Sequence, residues 1–220
     1  MALISLTNAY LSFSDHPLLD HAELHIEPNE RVCLVGRNGA GKSTLLKLIC
    51  GILKPYKGKV EVNGTIAPLI ELGAGLDPQF TARENIFLNG ALLGHKKSFM
   101  QRHFDEIIDF AELHDFVDSP IKNFSSGMSA RLGFSIATVV KPDILVVDEV
   151  LAVGDSAFRK KCENRMSDML SNGTTLLFVS HSANDIKKLC QNVIWLNKGE
   201  TKVIGKTSDI LSLYENRSGL

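Results

Sequence analysis

The fold of this chain is decided by the stretch Gly36-Arg37-Asn38-Gly39-Ala40-Gly41-Lys42-Ser43-Thr44. It matches the pattern G-x-x-x-x-G-K-[ST], in which the glycines let the backbone wrap closely around a phosphate group. The apolar run at residues 32–35 is typical of a buried strand, and residues 45–50 are compatible with a helix. A strand, a glycine loop and a helix in this order predict a phosphate-binding site.

The residue types in this loop indicate which part of a nucleotide each one contacts. Consecutive backbone N–H groups and the helix N-terminus supply positive potential to the phosphates. We expect Lys42 to reach the β- and γ-phosphates and Ser43 to hold Mg²⁺. The alternative is a glycine-rich turn without a ligand, which the complete motif in its context disfavours. The predicted nucleotide contacts are Gly36, Asn38, Gly39, Ala40, Gly41, Lys42, Ser43 and Thr44.

The composition is that of an ordinary globular protein, with 220 residues, 44% hydrophobic and 22% charged. A net charge of −1 provides no global basic field, so we expect no nucleic-acid partner. No apolar run approaches the roughly 18 residues of a membrane span, and the N-terminus lacks the features of a signal peptide. We therefore expect a cytoplasmic location and leave peripheral membrane attachment open. The four cysteines lack Cys-x-x-Cys spacing, which favours buried free thiols over disulfides or zinc ligands.

Hydrophobic patterning predicts the order of the strands. We expect strands at residues 2–13, 22–27, 59–62, 65–67, 144–147, 175–179 and 193–196. The dipeptide Asn63-Gly64 lies between two of these runs and predicts that they form a hairpin.

Helical patterning dominates residues 81–140 and includes a candidate helix from Gly127 to Val140, and another helix is expected at about residues 156–171. Because strands alternate with helices after the glycine loop, the predicted fold class is α/β with a mostly parallel central sheet. We expect one domain over residues 1–220. Its β core covers residues 1–80 and 141–220, with an antiparallel N-terminal part, and a helical insertion covers about residues 81–140.

Two carboxylates, Asp148 and Glu149, directly follow the apolar run at residues 144–147. A buried strand there would deliver Asp148 to the sheet edge beside the glycine loop, where it can order Mg²⁺ directly or through water. Glu149 is one step further and can orient or deprotonate an attacking water. The alternative, a strand that ends in solvated acids, is less favoured once a phosphate-binding loop is present.

A third element, Phe124-Ser125-Ser126-Gly127-Met128-Ser129-Ala130-Arg131, precedes the Asp148 strand and opens a helix. By itself it reads as a helix cap. Between the other two motifs it resembles the signature loop of the ATP-binding-cassette (ABC) ATPases, usually Leu-Ser-Gly-Gly-Gln, from which it departs at Ser126 and Met128. This resemblance implies that Ser125 and the N–H of Gly127 contact the γ-phosphate bound by an opposite subunit.

The same resemblance assigns roles to an aromatic residue and to two residues that follow strands. Phe13 resembles the aromatic residue that stacks on adenine, with Tyr10 as the second choice and core packing as the alternative for either. His181 follows the run at residues 175–179 and resembles the switch histidine that contacts the γ-phosphate. Asp155 matches the acid of the family's D-loop.

The position of the family's Q-loop, whose glutamine senses Mg²⁺ and the membrane partner, has two candidates in this chain. Glu71 occupies the matching place, and Gln79 lies shortly after it. Glu71 is therefore counted with Ser43 and Asp148 as a predicted metal contact, and Gln79 stays open.

Four segments together resemble one group within the ABC family, the ATPase subunits that export polysaccharides, O-antigen or teichoic acid across bacterial membranes. The segments are residues 71–75, 83–90, 125–128 and 148–155, and the resemblance covers about residues 45–215. It implies ATP and Mg²⁺ as cofactors and a head-to-tail homodimer that sandwiches two ATP molecules. It also implies a separate transmembrane permease and attachment to the cytoplasmic face of the membrane, without a span in this chain.

The first 44 residues resemble a different group, the ABC-F proteins, which carry two cassettes in one chain and act at ribosomes or on nucleic acid. The resemblance rests on residues 11–15, 17–20 and 22–38. It raises the hypothesis of an engineered chimera joined in or near residues 36–44, which would hydrolyse ATP without transport. A natural exporter with a divergent N-terminus is the alternative. An ABC-F-like function ranks lower, because no second cassette or long charged linker is present.

Overall fold

The computed structural model describes residues 2–13, 17–70, 73, 75–148 and 155–218, the last four by their backbone alone. The strands are β1 (Ile4–Ser12), β2 (Pro17–Ile26), β3 (Arg31–Val35), β4 (Lys57–Val62), β5 (Ile66–Leu69), β6 (Ile144–Asp148), β7 (Thr175–Val179), β8 (Asn192–Asn197) and β9 (Glu200–Lys206). The α-helices are α1 (Lys42–Ile49), α2 (Ala82–Leu92), α3 (Lys97–Arg102), α4 (Phe104–Ala111), α5 (Ser126–Thr138), α6 (Ser156–Ser171), α7 (Ala183–Leu189) and α8 (Thr207–Ser218). Short 3₁₀ helices span His114–Phe116 and Ile121–Asn123.

Internal contacts divide the chain into two units. The first consists of Met1–Ile66, Asp143–Glu149 and Gly173–Leu220, and the second of Ala67–Pro142 and Val150–Asn172. The glycine loop and the Asp148 strand therefore belong to the first unit, and the signature-like loop belongs to the second.

The first unit contains a parallel arrangement of strands in the order β6-β7-β3-β8, to which β9 adds antiparallel to β8. Residues 32–35 of β3 and residues 144–147 of β6 are buried along their whole length, as expected for strands covered on both faces. In the ladder, Val179 of β7 is the Cα partner both of Leu34 and of Asp148. The α/β class with a mostly parallel sheet is confirmed.

A second sheet of the first unit has the order β2-β1-β4 and is antiparallel. Its buried β1 side chains are Ile4, Leu6, Ala9 and Leu11. The predicted antiparallel N-terminal part is thereby confirmed.

The predicted hairpin around Asn63-Gly64 is wrong. Strand β4 pairs with β1 in the β2-β1-β4 sheet, and β5 is not a strand of that sheet. The reason is the neighbouring Thr65, whose N–H and hydroxyl donate to the Asp143 carboxylate at 2.7 and 2.8 Å. Its carbonyl accepts from the Ile144 N–H at 3.0 Å. These bonds direct the chain towards the β6 sheet instead of back along β4.

The second unit is helical and encloses its own core. Its buried side chains include Ile86 of α2, Met100 of α3, Ile107 and Ile108 of α4 and Leu132 of α5. Helix α2 begins with a capping box between Thr81 and Glu84. Helix α6 has the predicted bounds, and α5 runs from Ser126 to Thr138 where residues 127–140 were predicted.

The cysteines are free, and Cys33, Cys162 and Cys190 are buried while Cys50 is half-buried. Burial raises the pKa of the Cys50 and Cys162 thiols to about 12, which keeps both protonated at neutral pH. The prediction of buried free thiols holds for Cys33, Cys162 and Cys190 but not fully for the half-buried Cys50. In the part of the chain that the structure describes, no helix is both long and apolar enough to span a membrane.

Candidate functional site

The predicted phosphate-binding loop connects β3 to α1 and requires glycine at two places. Gly41, at the N-cap of α1, has φ +99°, in the left-handed region that glycine adopts without strain. A Cβ at Gly36 would lie 2.5 Å from the Leu196 carbonyl oxygen, closer than any side chain permits. Between them, the Ala40 N–H donates to the Arg37 carbonyl at 3.0 Å. The loop is thus a compact turn that ends at a helix N-terminus, a favourable position for an anion.

Lys42 is held at this loop by the backbone. Its Nζ donates to the carbonyl oxygen of Gly36 at 2.6 Å and to that of Arg37 at 3.2 Å. An ammonium has three N–H donors, so it can exchange these contacts for phosphate oxygens without leaving the loop.

A cavity of about 340 Å³ in the first unit brings most of the predicted site residues together. It is lined by Asn38, Gly39, Ala40, Gly41, Lys42, Ser43, Thr44, Asp148, Val179 and His181. Gly36, the first residue of the loop, is not among the residues that line this cavity. The sequence-based grouping of the loop with Asp148 and His181 therefore corresponds to one physical site.

Asp148 and Ser43 face each other in this cavity. The Ser43 hydroxyl donates towards the Asp148 carboxylate across 3.5 Å, although the two residues are far apart in sequence. The strand register explains this, because Asp148 ends β6 level with the end of β3, from which the loop continues. A hydroxyl and a carboxylate oxygen are the hard ligands that Mg²⁺ prefers beside substrate phosphates.

His181 reaches the cavity from the connection between β7 and α7. On one side, the buried hydroxyl of Ser180 accepts from the Ser182 N–H at 3.0 Å. On the other, the Ser182 hydroxyl caps α7 by accepting from the Asp185 N–H at 3.3 Å. These two bonds shape the short turn that presents the exposed imidazole.

Gly199, which was not among the residues predicted from the sequence, contacts the phosphate loop through its backbone. Its N–H donates to the Ala40 carbonyl and its own carbonyl accepts from the Asp20 N–H, both at 3.0 Å. Its φ is +81°, and a Cβ there would lie 2.8 Å from the Leu18 carbonyl oxygen. The available sequence signal was the dipeptide Lys198-Gly199, whose two positive φ angles form the tight turn between β8 and β9.

Phe13 lies just after the end of β1 and is exposed. It does not line the cavity around the glycine loop. The Tyr10 ring, the other candidate for adenine stacking, packs against the His21 ring with centroids 5.7 Å apart. Tyr10 is half-buried whereas Phe13 is exposed, which favours Phe13 as the candidate.

In the second unit, the signature-like loop begins α5. The Ser125 hydroxyl accepts from the Met128 N–H at 3.2 Å and so caps the helix. Ser125 and Gly127 line a cavity of about 220 Å³ together with Glu112, Leu113, Phe116, Met128 and Arg131. A Cβ at Gly127 would meet only the Ser125 oxygen at 3.8 Å, so this position opens towards the cavity.

Arg131 connects the signature helix to the start of α6. Its guanidinium donates to Glu112 at 2.7 Å and to Asp155 at 2.5 Å, and lies 4.7 Å above the Phe158 ring. Asp155 also caps α6 by accepting from the Phe158 N–H at 2.9 Å. This predicted D-loop acid is therefore a bridge between two helices of its own unit.

The same contacts set the ionisation of the two carboxylates. The hydrogen bond from the Phe158 N–H, with the Arg131 charge in support, holds the pKa of Asp155 below its usual range. The hydrogen bond from Lys161, with Arg131 acting in the same direction, lowers the pKa of Glu112. Because both pKa values are lowered in the folded state, the ionised carboxylates of Asp155 and Glu112 stabilise the fold. This contribution to the free energy of unfolding is present above the ordinary carboxyl pKa and is lost as the pH falls through the lowered values.

Gly73 itself lies against Ser129 of the signature helix. It has φ +87°, and a Cβ there would lie 3.1–3.2 Å from three atoms of Ser129. Gln79, the alternative Q-loop residue, is exposed, and its N–H donates to Asp77 at 2.9 Å. Glu71 and Glu149, the predicted metal contact and general base, lie outside the described residues.

Comparison with known proteins identifies the family. A family model described as "ABC transporter" matches residues 19–152. The chain belongs to the ABC transporter family. The O-antigen export system ATP-binding protein RfbB of Klebsiella pneumoniae is 46% identical to the cassette over 197 residues, which cover 90% of this chain and 80% of that protein. The teichoic acids export ATP-binding protein TagH of Bacillus anthracis is 42% identical over 200 residues, which cover 91% of this chain and 36% of TagH.

Solved structures have the same fold. The ATP-binding subunit of an ABC transporter superposes with a TM-score of 0.82 at 23% identity, over 98% of this chain and 94% of the other. The cassette MJ0796, solved as a dimer in a post-hydrolysis state with ADP and Pi, superposes with a TM-score of 0.76 at 23% identity, over 93% and 98%. The predicted ABC fold class is confirmed.

We predict that Gly199→Ala weakens nucleotide binding through the contacts behind the loop. Gly94→Ala is the matched control, because Gly94 also has a positive φ, +84°, but has open space around its Cβ position. Both variants should lose about 1–2 kcal/mol of stability from the left-handed backbone in urea unfolding. Gly199→Ala should lose more than Gly94→Ala, because its Cβ would lie 2.8 Å from backbone atoms. Only Gly199→Ala should also bind MgATP more weakly in calorimetry. Equal losses of ATP affinity in the two variants would contradict a specific support of the loop.

Proposed function

We propose that this chain is the ATP-binding and ATP-hydrolysing subunit of an exporter of a cell-surface polysaccharide. The observation that carries the proposal is the cavity in which the glycine loop, Asp148 and His181 meet. Family membership and the 46% identity to a protein named for O-antigen export support the same function.

Binding would depend on the loop and on Lys42. Backbone N–H groups at the start of α1 would surround the phosphates, and the Lys42 ammonium would neutralise the β- and γ-phosphates. Ser43 and Asp148 would hold Mg²⁺, and their oxygen atoms, 3.5 Å apart, fit such an ion. Once bound, the ion would neutralise charge that develops on the transferred phosphoryl group. Glu71 is proposed as a further contact to it, with Gln79 as the alternative.

Hydrolysis would transfer the γ-phosphoryl group to water. The water oxygen forms a bond to the γ-phosphorus, the bond from this phosphorus to the leaving ADP oxygen breaks, and Glu149 takes the proton from the water. His181 would donate a hydrogen bond to the γ-phosphate from its turn after β7. The products are ADP and inorganic phosphate.

One chain would supply only part of the γ-phosphate environment. We propose that Ser125 and the Gly127 N–H contact the γ-phosphate held by a second copy, in a head-to-tail dimer that sandwiches two ATP molecules. The exposed Ser125 hydroxyl and the open position at Gly127 support this role. The dimeric state of the MJ0796 cassette, which has the same fold, is in line with it. Asp155 is proposed to lie at the same dimer contact.

The dimer would open after hydrolysis and drive a separate membrane permease. We propose a location on the cytoplasmic face of the membrane, where ATP is available. The relatives named for O-antigen and teichoic acid export support a cell-surface polymer as the exported substrate.

Two substitutions separate binding from chemistry. Lys42→Ala should abolish MgATP binding, because the phosphates lose their main positive charge. Glu149→Gln should bind ATP normally, lose turnover and accumulate as an ATP-bound dimer, because the general base is removed while the phosphate contacts remain. Calorimetry, phosphate release and size-exclusion chromatography measure these outcomes. Unchanged ATP affinity in Lys42→Ala, or unimpaired hydrolysis in Glu149→Gln, would overturn the assigned roles.

The export function requires its own test. In a strain that lacks this gene, surface polysaccharide should be lost, the wild-type gene should restore it, and Glu149→Gln should not. The ATPase should also copurify with a polysaccharide-export permease and be stimulated by it. If the protein hydrolyses ATP but neither restores surface polysaccharide nor copurifies with and responds to a permease, the exporter function is refuted. That result would favour the hypothesis of a chimeric cassette that hydrolyses ATP without transport.

A further inference from the structure

Two large aromatic side chains of the first unit are exposed beside each other. Phe13 is 64% exposed and Tyr56 is 63% exposed, and their ring centroids lie 6.4 Å apart at an interplanar angle of 87°. This edge-to-face geometry is a favourable aromatic contact. The pair thus presents two rings to solvent at nearly right angles to each other.

The backbone anchors Tyr56 next to β1. Its N–H donates to the Tyr10 carbonyl at 2.8 Å, and the following Lys57 is the Cα partner of Tyr10 in the β1–β4 ladder. Gly58 then passes so close to β1 that a Cβ there would lie 2.1 Å from the Asn8 carbonyl oxygen. The backbone of Tyr56 is therefore held beside β1 by the sheet.

Phe13 of the aromatic pair lies at the end of the paired strands β1 and β2, and β2 contacts the phosphate loop. Phe13 directly follows Ser12, whose Cα partner is Pro17 of β2. The next residue of β2, Leu18, has its carbonyl oxygen 2.6 Å from where a Cβ of Gly41 would be. Phe13 and the phosphate loop thus both lie next to the same short stretch of β2, residues 17–18.

We propose that Tyr56 is a second residue of the adenine site, where it fixes the orientation of the Phe13 ring on which the base stacks. In an edge-to-face pair the partner covers at most one face of a ring, so Phe13 keeps a face for a planar base. Stacking on an aromatic face is the usual way to hold a base without reading its edge. The inference rests on the proposed ATP binding and adds a positioning residue to it.

The test compares a ligand that has a base with one that has only phosphates. Affinities for MgATP and for magnesium tripolyphosphate are measured by calorimetry on the full chain. Tyr56→Ala should weaken MgATP binding about 2- to 10-fold, the range of an aromatic pair, and leave tripolyphosphate affinity unchanged. Tyr56→Phe keeps the ring and should bind MgATP like the wild type. Ile52→Ala is the control and should change neither affinity. Like Tyr56, Ile52 lies in the connection between α1 and β4, and it is 61% exposed.

A double-mutant cycle tests whether Tyr56 acts through Phe13. Phe13→Ala combined with Tyr56→Ala should bind MgATP no more weakly than Phe13→Ala alone. Additive losses, an unchanged MgATP affinity in Tyr56→Ala, or equal weakening of both ligands would overturn the role of Tyr56. Lys42→Ala separates failure of the Tyr56 role from failure of the proposed function. The phosphate site itself is refuted only if Lys42→Ala binds both MgATP and magnesium tripolyphosphate like the wild type.

Discussion

The parallel pairing of β6, β7 and β3 is the constraint on which the nucleotide site depends. Parallel strands end at the same edge of a sheet, and the register places Leu34, Val179 and Asp148 level with one another. The register alone therefore brings three parts of the site together. They are the loop after β3, the carboxylate at the end of β6 and the turn after β7. The Ser43–Asp148 contact is a direct consequence of this register.

In each unit, internal hydrogen bonds or ion pairs hold the loop that the unit contributes to the proposed ATP site. In the first, Gly199 donates a backbone hydrogen bond to the Ala40 carbonyl of the phosphate loop, a contact that uses no side chain of the loop. In the second, Arg131 joins the signature helix to Asp155 and Glu112. The proposed dimer requires such rigidity, because phosphoryl transfer is catalysed chiefly by positioning and charge stabilisation.

Prediction from the sequence matched the structure where the pattern lies in contiguous residues. The phosphate loop, Asp148 after its apolar strand and the bounds of α6 could all be read from local pattern. It failed for Asn63-Gly64, because the partners of Thr65 that redirect the chain are residues 143–144, far away in sequence. Gly199 and Tyr56 were missed for the same reason, since their partners, Ala40 and Phe13, are known only once the strands are paired.

The most direct measurement of the central claim, a composite ATPase site shared by two chains, is hydrolysis by mixed variants. Lys42→Ala damages the phosphate loop, and Gly127→Asp places a carboxylate in the open space at the signature loop, where it would repel a partner's γ-phosphate. Each variant alone should be inactive. An equimolar mixture should regain ATPase activity that rises with protein concentration, because a mixed dimer has one intact site. Activity of Gly127→Asp alone, or no recovery in a mixture of folded variants, would contradict the account.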